Sequence, residues 1–230
     1  PHSEIREQLT RKVNSFWMAR YPVTIAQFRG FLDECYRDRQ WRLPPGFPFD
    51  MPSSYLPPKP RARYSNHPMD SLNWFDALAF CHWLGSGLGF EVTLPTEYEW
   101  QLAASGGDSR RVYPWGADWD PAKEPWRANT TESGLDRSTA VGVYPEGASP
   151  VGVLDMSGTV WEWCLNRLDE PDSVEFTTSR QVHRVLRGGS WGDSQDDARS
   201  SSRDWEGPYY RFGNIGFRVV CSSPSSGTDH

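Results

Sequence analysis

Arg187-Gly188-Gly189-Ser190-Trp191 and Asn214-Ile215-Gly216-Phe217-Arg218 stand at the two ends of one C-terminal block. Between them, Gly192 to Gly213 mixes Asp, Ser and Gln with Trp205, Tyr209, Tyr210 and Phe212. The interior has no hydrophobic periodicity, so it reads as neither a core helix nor a core strand. Its aromatics and its fixed ends separate it from a disordered linker. An irregular surface segment held at both ends fits, and such segments commonly carry binding sites.

Working outward, the rest of the chain supplies the scaffold for that segment. With 37% hydrophobic residues but 12 Trp among 230 residues, the core is built from a few large side chains, each burying much area. No linker separates two cores, so residues 1–230 read as a single domain with a core over about 13–221 and a Ser-rich tail over 222–230. A net charge of −6 argues against nucleic acid, which needs a basic surface. No run approaches the ~20 apolar residues of a membrane helix. Cys35, Cys81, Cys164 and Cys221 include no C-x-x-C pair. Reduced thiols and, in the absence of a signal peptide, a cytoplasmic location are the expectation. Lys12, Lys59 and Lys123 are the only lysines among 24 basic residues, a bias that suits a thermophilic or GC-rich source.

Residues 13–18 read as a strand. Thr24 and Gln27 form a capping box, and Phe28, Phe31, Leu32 and Cys35 follow at helical spacing. Seven prolines across 41–66 exclude regular structure there. A second helix runs from about Asn73 to Leu84, with Trp74, Ala77, Leu78 and Cys81 on its buried stripe. Thr96 and Glu99 cap a third, ending near Ala104. Short apolar pieces recur beyond it at Ala140–Tyr144, Val160–Cys164, Val182–Leu186 and Phe217–Val220, and the last two read as paired strands.

Chemical motifs are sparse. No two of the five histidines have metal-ligand spacing. Gly188-Gly189-Ser190-Trp191-Gly192 matches a nucleophile elbow only superficially, because no helix follows it. Glu97 and Glu99 lie two apart and face different ways on a helix, so they make no acid–base pair. The polar turns Asp155–Trp163 and Asn129–Asp136 mix carbonyl and acidic oxygens, as calcium prefers. Plain loops with local side-chain bonding have the same composition.

Several ordered motifs together resemble the formylglycine-generating-enzyme (sulfatase-modifying factor) superfamily. They are Tyr21-Pro22-Val23-Thr24, His67-Pro68, Trp74-Phe75-Asp76-Ala77, Leu94-Pro95-Thr96-Glu97, Pro114-Trp115-Gly116, Gly158–Trp163, and the two ends of the C-terminal block. The resemblance implies an α+β, C-type-lectin-like fold with two main helices, a small twisted antiparallel sheet and much irregular structure. It implies structural calcium as well, held by the backbone of Ser157, Gly158 and Val160 with the Glu162 carboxylate at one site. The other site would use Asn129, Thr130, Ser133 and Leu135. The oxidases of this superfamily bind copper through two cysteines that would fall near Asp193 and Ala198. No Cys occurs between Trp191 and Phe217, and Asp or Ala cannot replace a thiolate for copper(I). The sulfoxide synthases carry iron on a separate helical domain through a His cluster absent from this sequence. Neither copper nor iron is expected, and the expectation is a chain that is not an enzyme.

The C-terminal block also resembles variable proteins of diversity-generating retroelements. Arg199, Arg203, Pro208, Arg211 and Asn214 fit a fixed frame. Gly192, Asp193, Ser194, Asp196, Ser202, Asp204, Trp205, Glu206, Tyr209, Tyr210, Phe212 and Gly213 fit a variable, ligand-binding set, with Trp205, Tyr209, Tyr210 and Phe212 as one anchor cluster. The expected partner is a protein or other macromolecule. Ordinary loop drift accounts for the same composition. An oxidase with unusual ligands, a sulfoxide-synthase half, and a regulatory domain of a larger signalling protein are the alternatives.

Overall fold

Each of the three helices begins at a side-chain cap written into the sequence. The computed structural model describes residues 13–37, 40–41, 56–120, 122 and 127–222, and most of the proline-rich stretch and the Ser-rich tail lie outside them. After β1 (Phe16–Met18), α1 (Ile25–Cys35) starts where the Gln27 amide donates to Thr24 Oγ1 and the Thr24 amide donates to Gln27 Oε1. Ile25, Phe28, Phe31 and Cys35 are its buried side. The backbone pair β2 (Tyr36–Arg37) and β3 (Gln40–Trp41) follows. At α2 (Trp74–Leu88), Asn73 and Asp76 exchange reciprocal capping bonds of 2.9 Å. The helix outruns its expected end at Leu84 by one turn, stopping at Gly89, whose left-handed φ of 79° closes it. Between β4 (Val92–Thr93) and the rest, α3 (Glu97–Ser105) is capped by Thr96 and Glu99 and closed by Gly106.

The α1 and α2 faces meet over aromatic rings. Phe28 lies 5.1 Å from Phe31, 5.5 Å from Phe80 and 6.1 Å from Phe217, all four buried. Burial of each such ring stabilises the fold by about 2–3 kcal/mol. A second cluster, Trp100, Ala104, Met156, Cys164 and Val185, joins α3 to the sheet.

That sheet is formed by β5 (Trp161–Arg167), β6 (Arg184–Arg187), β7 (Arg203–Glu206) and β8 (Ile215–Gly216), in the order β7-β6-β5-β8. Its β5–β8 pair is parallel and the others antiparallel. A three-stranded sheet places β9 (Val220–Ser222) between β1 and β4, which ties the two ends of the domain together through Trp17 opposite Cys221.

The α+β architecture matches expectation, but one pairing does not. Val182–Leu186 and Phe217–Val220 are not partners. Positive φ at Gly188 (101°) and Gly189 (72°) turns the chain after β6, so β6 pairs with β5 and β7. Residues 217–219 bond instead to the N-terminal side: the Val23 amide donates to Phe217 O and the Ala19 amide to Val219 O, each at 2.9 Å. The apolar run Ala140–Tyr144 forms no strand. It is a turn through Gly142 (φ 75°), anchored by the Val141 amide on Asn66 O.

The β5 entry turn is packed directly against a second turn of the scaffold. Gly158 has φ 77°, and a Cβ there would stand 2.2 Å from Asn129 O. Gly158→Ala is expected to cost about 3 kcal/mol or more, read as a fall in the urea midpoint; an unchanged midpoint would show that the two turns separate freely.

Candidate functional site

The ends of the C-terminal block are held from beneath by an ion pair. Arg218 Nε and Nη2 donate to the two oxygens of Glu162, each at 2.6 Å, and neither side chain is solvent-exposed. Trp100 Nε1 donates to the same carboxylate at 2.7 Å. The remaining Arg218 donors reach the carbonyls of Ala19, Arg20, Leu154 and Asp155. Beside this pair, Asp155 is buried with φ 57°; its Oδ2 accepts from the Gly142 amide at 2.7 Å and its Oδ1 has no partner. Burial pushes the Asp155 carboxyl up to about 6, the Glu162 charge adds to the rise, and the Gly142 amide and Arg218 oppose it.

Other arginines fix the segment between the ends. Arg187, the buried last residue of β6, donates to the carbonyls of Ser200, Ser201 and Ser202 and to Gln101 Oε1. Arg203 makes a two-point ion pair with Glu97, at 2.7 and 3.0 Å. Arg211 pairs with the fully buried Asp76 at 2.9 Å, beneath the α2 cap. Asn214 Nδ2 donates to Ser190 Oγ, and the Pro208 carbonyl accepts the Trp74 amide. Arg199 alone of the expected frame points outward, paired with the exposed Asp196.

The twelve expected ligand-binding residues divide. Gly192, Asp196, Asp204, Trp205, Tyr210 and Phe212 are exposed. Trp205 is 46% exposed and meets His183 edge-on at 4.4 Å; Tyr210 (58%) and Phe212 (44%) stack at 6.0 Å. Ser194, Ser202, Glu206 and Gly213 are half-buried, with Ser194 bonded to Asp197 and Ser202 to the Asp196 carbonyl. Two residues turn inward, against expectation. Asp193 is half-buried and accepts from Trp161 Nε1 at 2.9 Å and from Ser190 Oγ, because its short side chain closes the turn after Trp191. Tyr209 packs 4.8 Å from Phe75 and donates its hydroxyl to Thr178 O. The single anchor cluster therefore resolves into three placements: Trp205 with His183, the Tyr210–Phe212 stack, and the half-buried Tyr209 against the edge of the core. Ala198, at the other copper position of the oxidases, is buried.

The two turns expected to hold calcium do meet, through the parallel bridge Asn129–Gly158. Several of their oxygens are taken by protein donors. Glu162 is neutralised by Arg218. Ser157 Oγ donates to Ala198 O, and the Val160 amide donates to Gly158 O. Asn129 Oδ1 accepts from Ser133 Oγ, and Asn129 O accepts the Thr159 amide. The Thr130 carbonyl takes the Ser133 amide, and Leu135 is exposed with its amide on Ser133 Oγ. Among the described residues no group of three or more His, Cys, Asp or Glu is placed to hold a metal. The Glu162 carboxylate is thus engaged by Arg218 and Trp100, whereas Asp155 Oδ1 in the same turn has no partner.

The sequence reading missed β7, whose polar Arg-Asp-Trp-Glu has no apolar alternation because it is an exposed edge strand. It missed Arg61 too, whose guanidinium lies 4.6 Å over the Trp191 ring from a distant loop.

Residues 3–223 match the family described as the Sulfatase-modifying factor enzyme 1-like domain. The chain is 33% identical over 237 residues to a hercynine oxygenase of Mycolicibacterium thermoresistibile, an alignment covering 90% of this chain and 51% of that one. It thus spans about half the length of the hercynine oxygenases it matches. Among solved structures, PvdO from Pseudomonas aeruginosa has a TM-score of 0.72 at 25% identity, covering 90% of this chain and 80% of that one. Treponema denticola variable protein 1 has a TM-score of 0.68 at 21% identity, covering 90% and 84%. These likenesses establish the C-type-lectin-like α+β fold. They also correct the expectation that the chain is not an enzyme, since relatives matched along 90% of it are named as oxygenases. Missing thiols remove copper–thiolate chemistry alone, and other chemistry needs no cysteine there. No helix among the described residues is long and apolar enough to cross a membrane.

The two buried acids yield opposite predictions. Arg218→Met strands the Glu162 charge and is expected to cost about 3–5 kcal/mol by chemical denaturation, with much of it recovered in the double variant carrying Glu162→Gln. Asp155 gives a pH signature. Its folded value lies above the ordinary 3.8, so between about pH 4 and about pH 6 the folded chain holds a proton that the unfolded chain has released. Stability falls as pH rises through that window. Asp155→Asn is expected to abolish this fall and to gain on the order of 1–2 kcal/mol at neutral pH; a variant with the same pH profile as the parent would refute the assignment.

Proposed function

The chain belongs to the sulfatase-modifying factor enzyme 1-like family, and we propose that its part in that family is recognition of a macromolecular ligand on the face formed by Gly192–Gly213. The observation that carries this reading is a division of labour along one segment. Arg187, Arg203, Arg211, Asn214 and Pro208 are spent on backbone and buried carboxylates. Asp196, Asp204, Trp205, Tyr210 and Phe212 point to solvent. Large aromatics with few rotamers, set among short acidic side chains, give contact area at low entropic cost and adaptable hydrogen bonding. Exposed rings of this size are otherwise unfavourable on a surface, and their grouping along one segment marks a contact face.

The same division supports diversification of the segment. The outward side chains contribute little to the core, so they can change while the frame keeps the backbone fixed. This reading concerns binding and is compatible with an enzyme. The identity to hercynine oxygenase over half that protein's length favours a second form of it, in which this domain holds the substrate and chemistry lies elsewhere in a longer chain.

Two measurements test it. The genome beside this gene is expected to hold a reverse-transcriptase gene and a near-identical copy of the block, differing at codons for the outward residues. A neighbourhood with neither would remove diversification. For the face itself, a library randomised at Asp196, Asp204, Trp205, Tyr210 and Phe212 is expected to keep melting temperatures within about 5 °C of the parent and to yield binders to lysozyme on selection. General unfolding of its members would sink the reading.

A further inference from the structure

Two segments, 61–67 and 135–143, face each other across a cavity of about 780 Å³ that lies outside the proposed contact face. Its wall carries three guanidinium groups, Arg61, Arg63 and Arg137, against one carboxylate, Asp136. In a chain of net charge −6, that is a local reversal of sign. The arginines that secure the fold by ion pairs with buried carboxylates are different ones: Arg203 on Glu97, Arg211 on Asp76 and Arg218 on Glu162. Those of the cavity are exposed.

The cavity has an apolar part as well. Tyr64 is 68% exposed, its ring 5.4 Å from that of His67, and Val143 and Leu135 are exposed beside it. A ring nitrogen of His67 is hydrogen-bonded to Ser138 Oγ at 3.2 Å. Burial, and then the nearby Arg137 charge, hold His67 below its ordinary value, so at neutral pH it offers hydrogen bonding and no charge.

The walls are fixed before any ligand arrives. The Ile25 amide at the start of α1 donates to His67 O, and the Val141 amide donates to Asn66 O, so one turn is clamped from both sides. A preformed concave site in which polar groups converge beside an apolar wall is a usual form of a small-molecule site. Arg61 places its rim against both ends of the C-terminal block: its guanidinium lies over Trp191, and its Cδ would stand 3.0 Å from a Cβ on Gly213.

We propose that this cavity binds a small anion carried on an aromatic body, an aryl phosphate or an aryl carboxylate. Guanidinium groups suit both anions, which they bind through paired N–H donors. Tyr64, Leu135 and Val143 would cover the ring. The site adjoins the Gly192–Gly213 face through Arg61 and does not depend on the reading of that face.

Isothermal titration of the protein with phenyl phosphate, benzoate, inorganic phosphate and benzylamine tests it. Saturable binding of phenyl phosphate or benzoate is expected, and the tighter of the two identifies the anion. Inorganic phosphate is expected to bind at least about tenfold more weakly than phenyl phosphate and benzylamine not at all. Arg63→Ala and Arg137→Ala are each expected to weaken the aryl anion about tenfold. Tyr64→Ala should reduce the preference of phenyl phosphate over phosphate, and Trp205→Ala should leave every affinity unchanged. All four residues are exposed, so the variants fold. No saturable binding of either aryl anion below about 10 mM, equal binding of benzylamine, or full affinity in Arg137→Ala would overturn the proposal.

Discussion

Among the described residues, Arg218 and Glu162 are the one ion pair with no solvent on either side, and the irregular half of the molecule is arranged around them. A buried guanidinium has five donors to satisfy, and an unsatisfied one costs as much as the loss of a hydrogen bond. Arg218 satisfies them by reaching residues 19–20, 154–155 and the β5 carboxylate at once. Three stretches of chain are thereby fixed to a single side chain, with Trp100 of α3 attached through Glu162. Hydrophobic burial alone is non-directional and would not set loops of this length in register. The directional bonds of one ion pair do.

The same device recurs outward, with decreasing burial. Arg187 is buried and takes three successive carbonyls, which fixes the path of residues 200–202. Arg203 and Arg211 are partly exposed and fix the next two points through Glu97 and Asp76. Each acid was already in use at a helix start: Asp76 closes the capping box of α2, and Glu97 is the first residue of α3. The helix N-termini thus hold the C-terminal segment, favoured there by negative charge near the helix start. Because the arginines bind backbone and helix-start carboxylates, the segment's shape does not depend on its outward side chains.

This explains what was legible in the sequence. The capping boxes at Thr24 and Thr96 are local codes of four residues, and the helices begin where they stand. The apolar stripe of α1 and the fixed ends of the C-terminal block were equally readable. Pairing was not: Val182–Leu186 and Phe217–Val220 have similar composition, and only the turn at Gly188-Gly189 decides that the first meets Arg203–Glu206. Asp193 and Tyr209 were misplaced because their partners, Trp161 and Phe75, are far away in sequence. The ion pair of Glu162 was hidden for a related reason, since its buried counter-charge lies 56 positions further on.

The outward face and the cavity differ in chemistry, and this bears on how they combine. The face carries Asp196, Asp204 and three exposed rings, whereas the cavity carries three arginines and one aspartate. A ligand favoured by one is disfavoured by the other, so a single small molecule does not span both. Arg61 is the link, touching Trp191 and Gly213 while lining the cavity. Cation–π contact of an exposed arginine contributes about 0.5–1 kcal/mol. An anion that drew Arg61 into the cavity would forfeit that contact with Trp191, and a coupling bounded by it would change affinity several-fold at most.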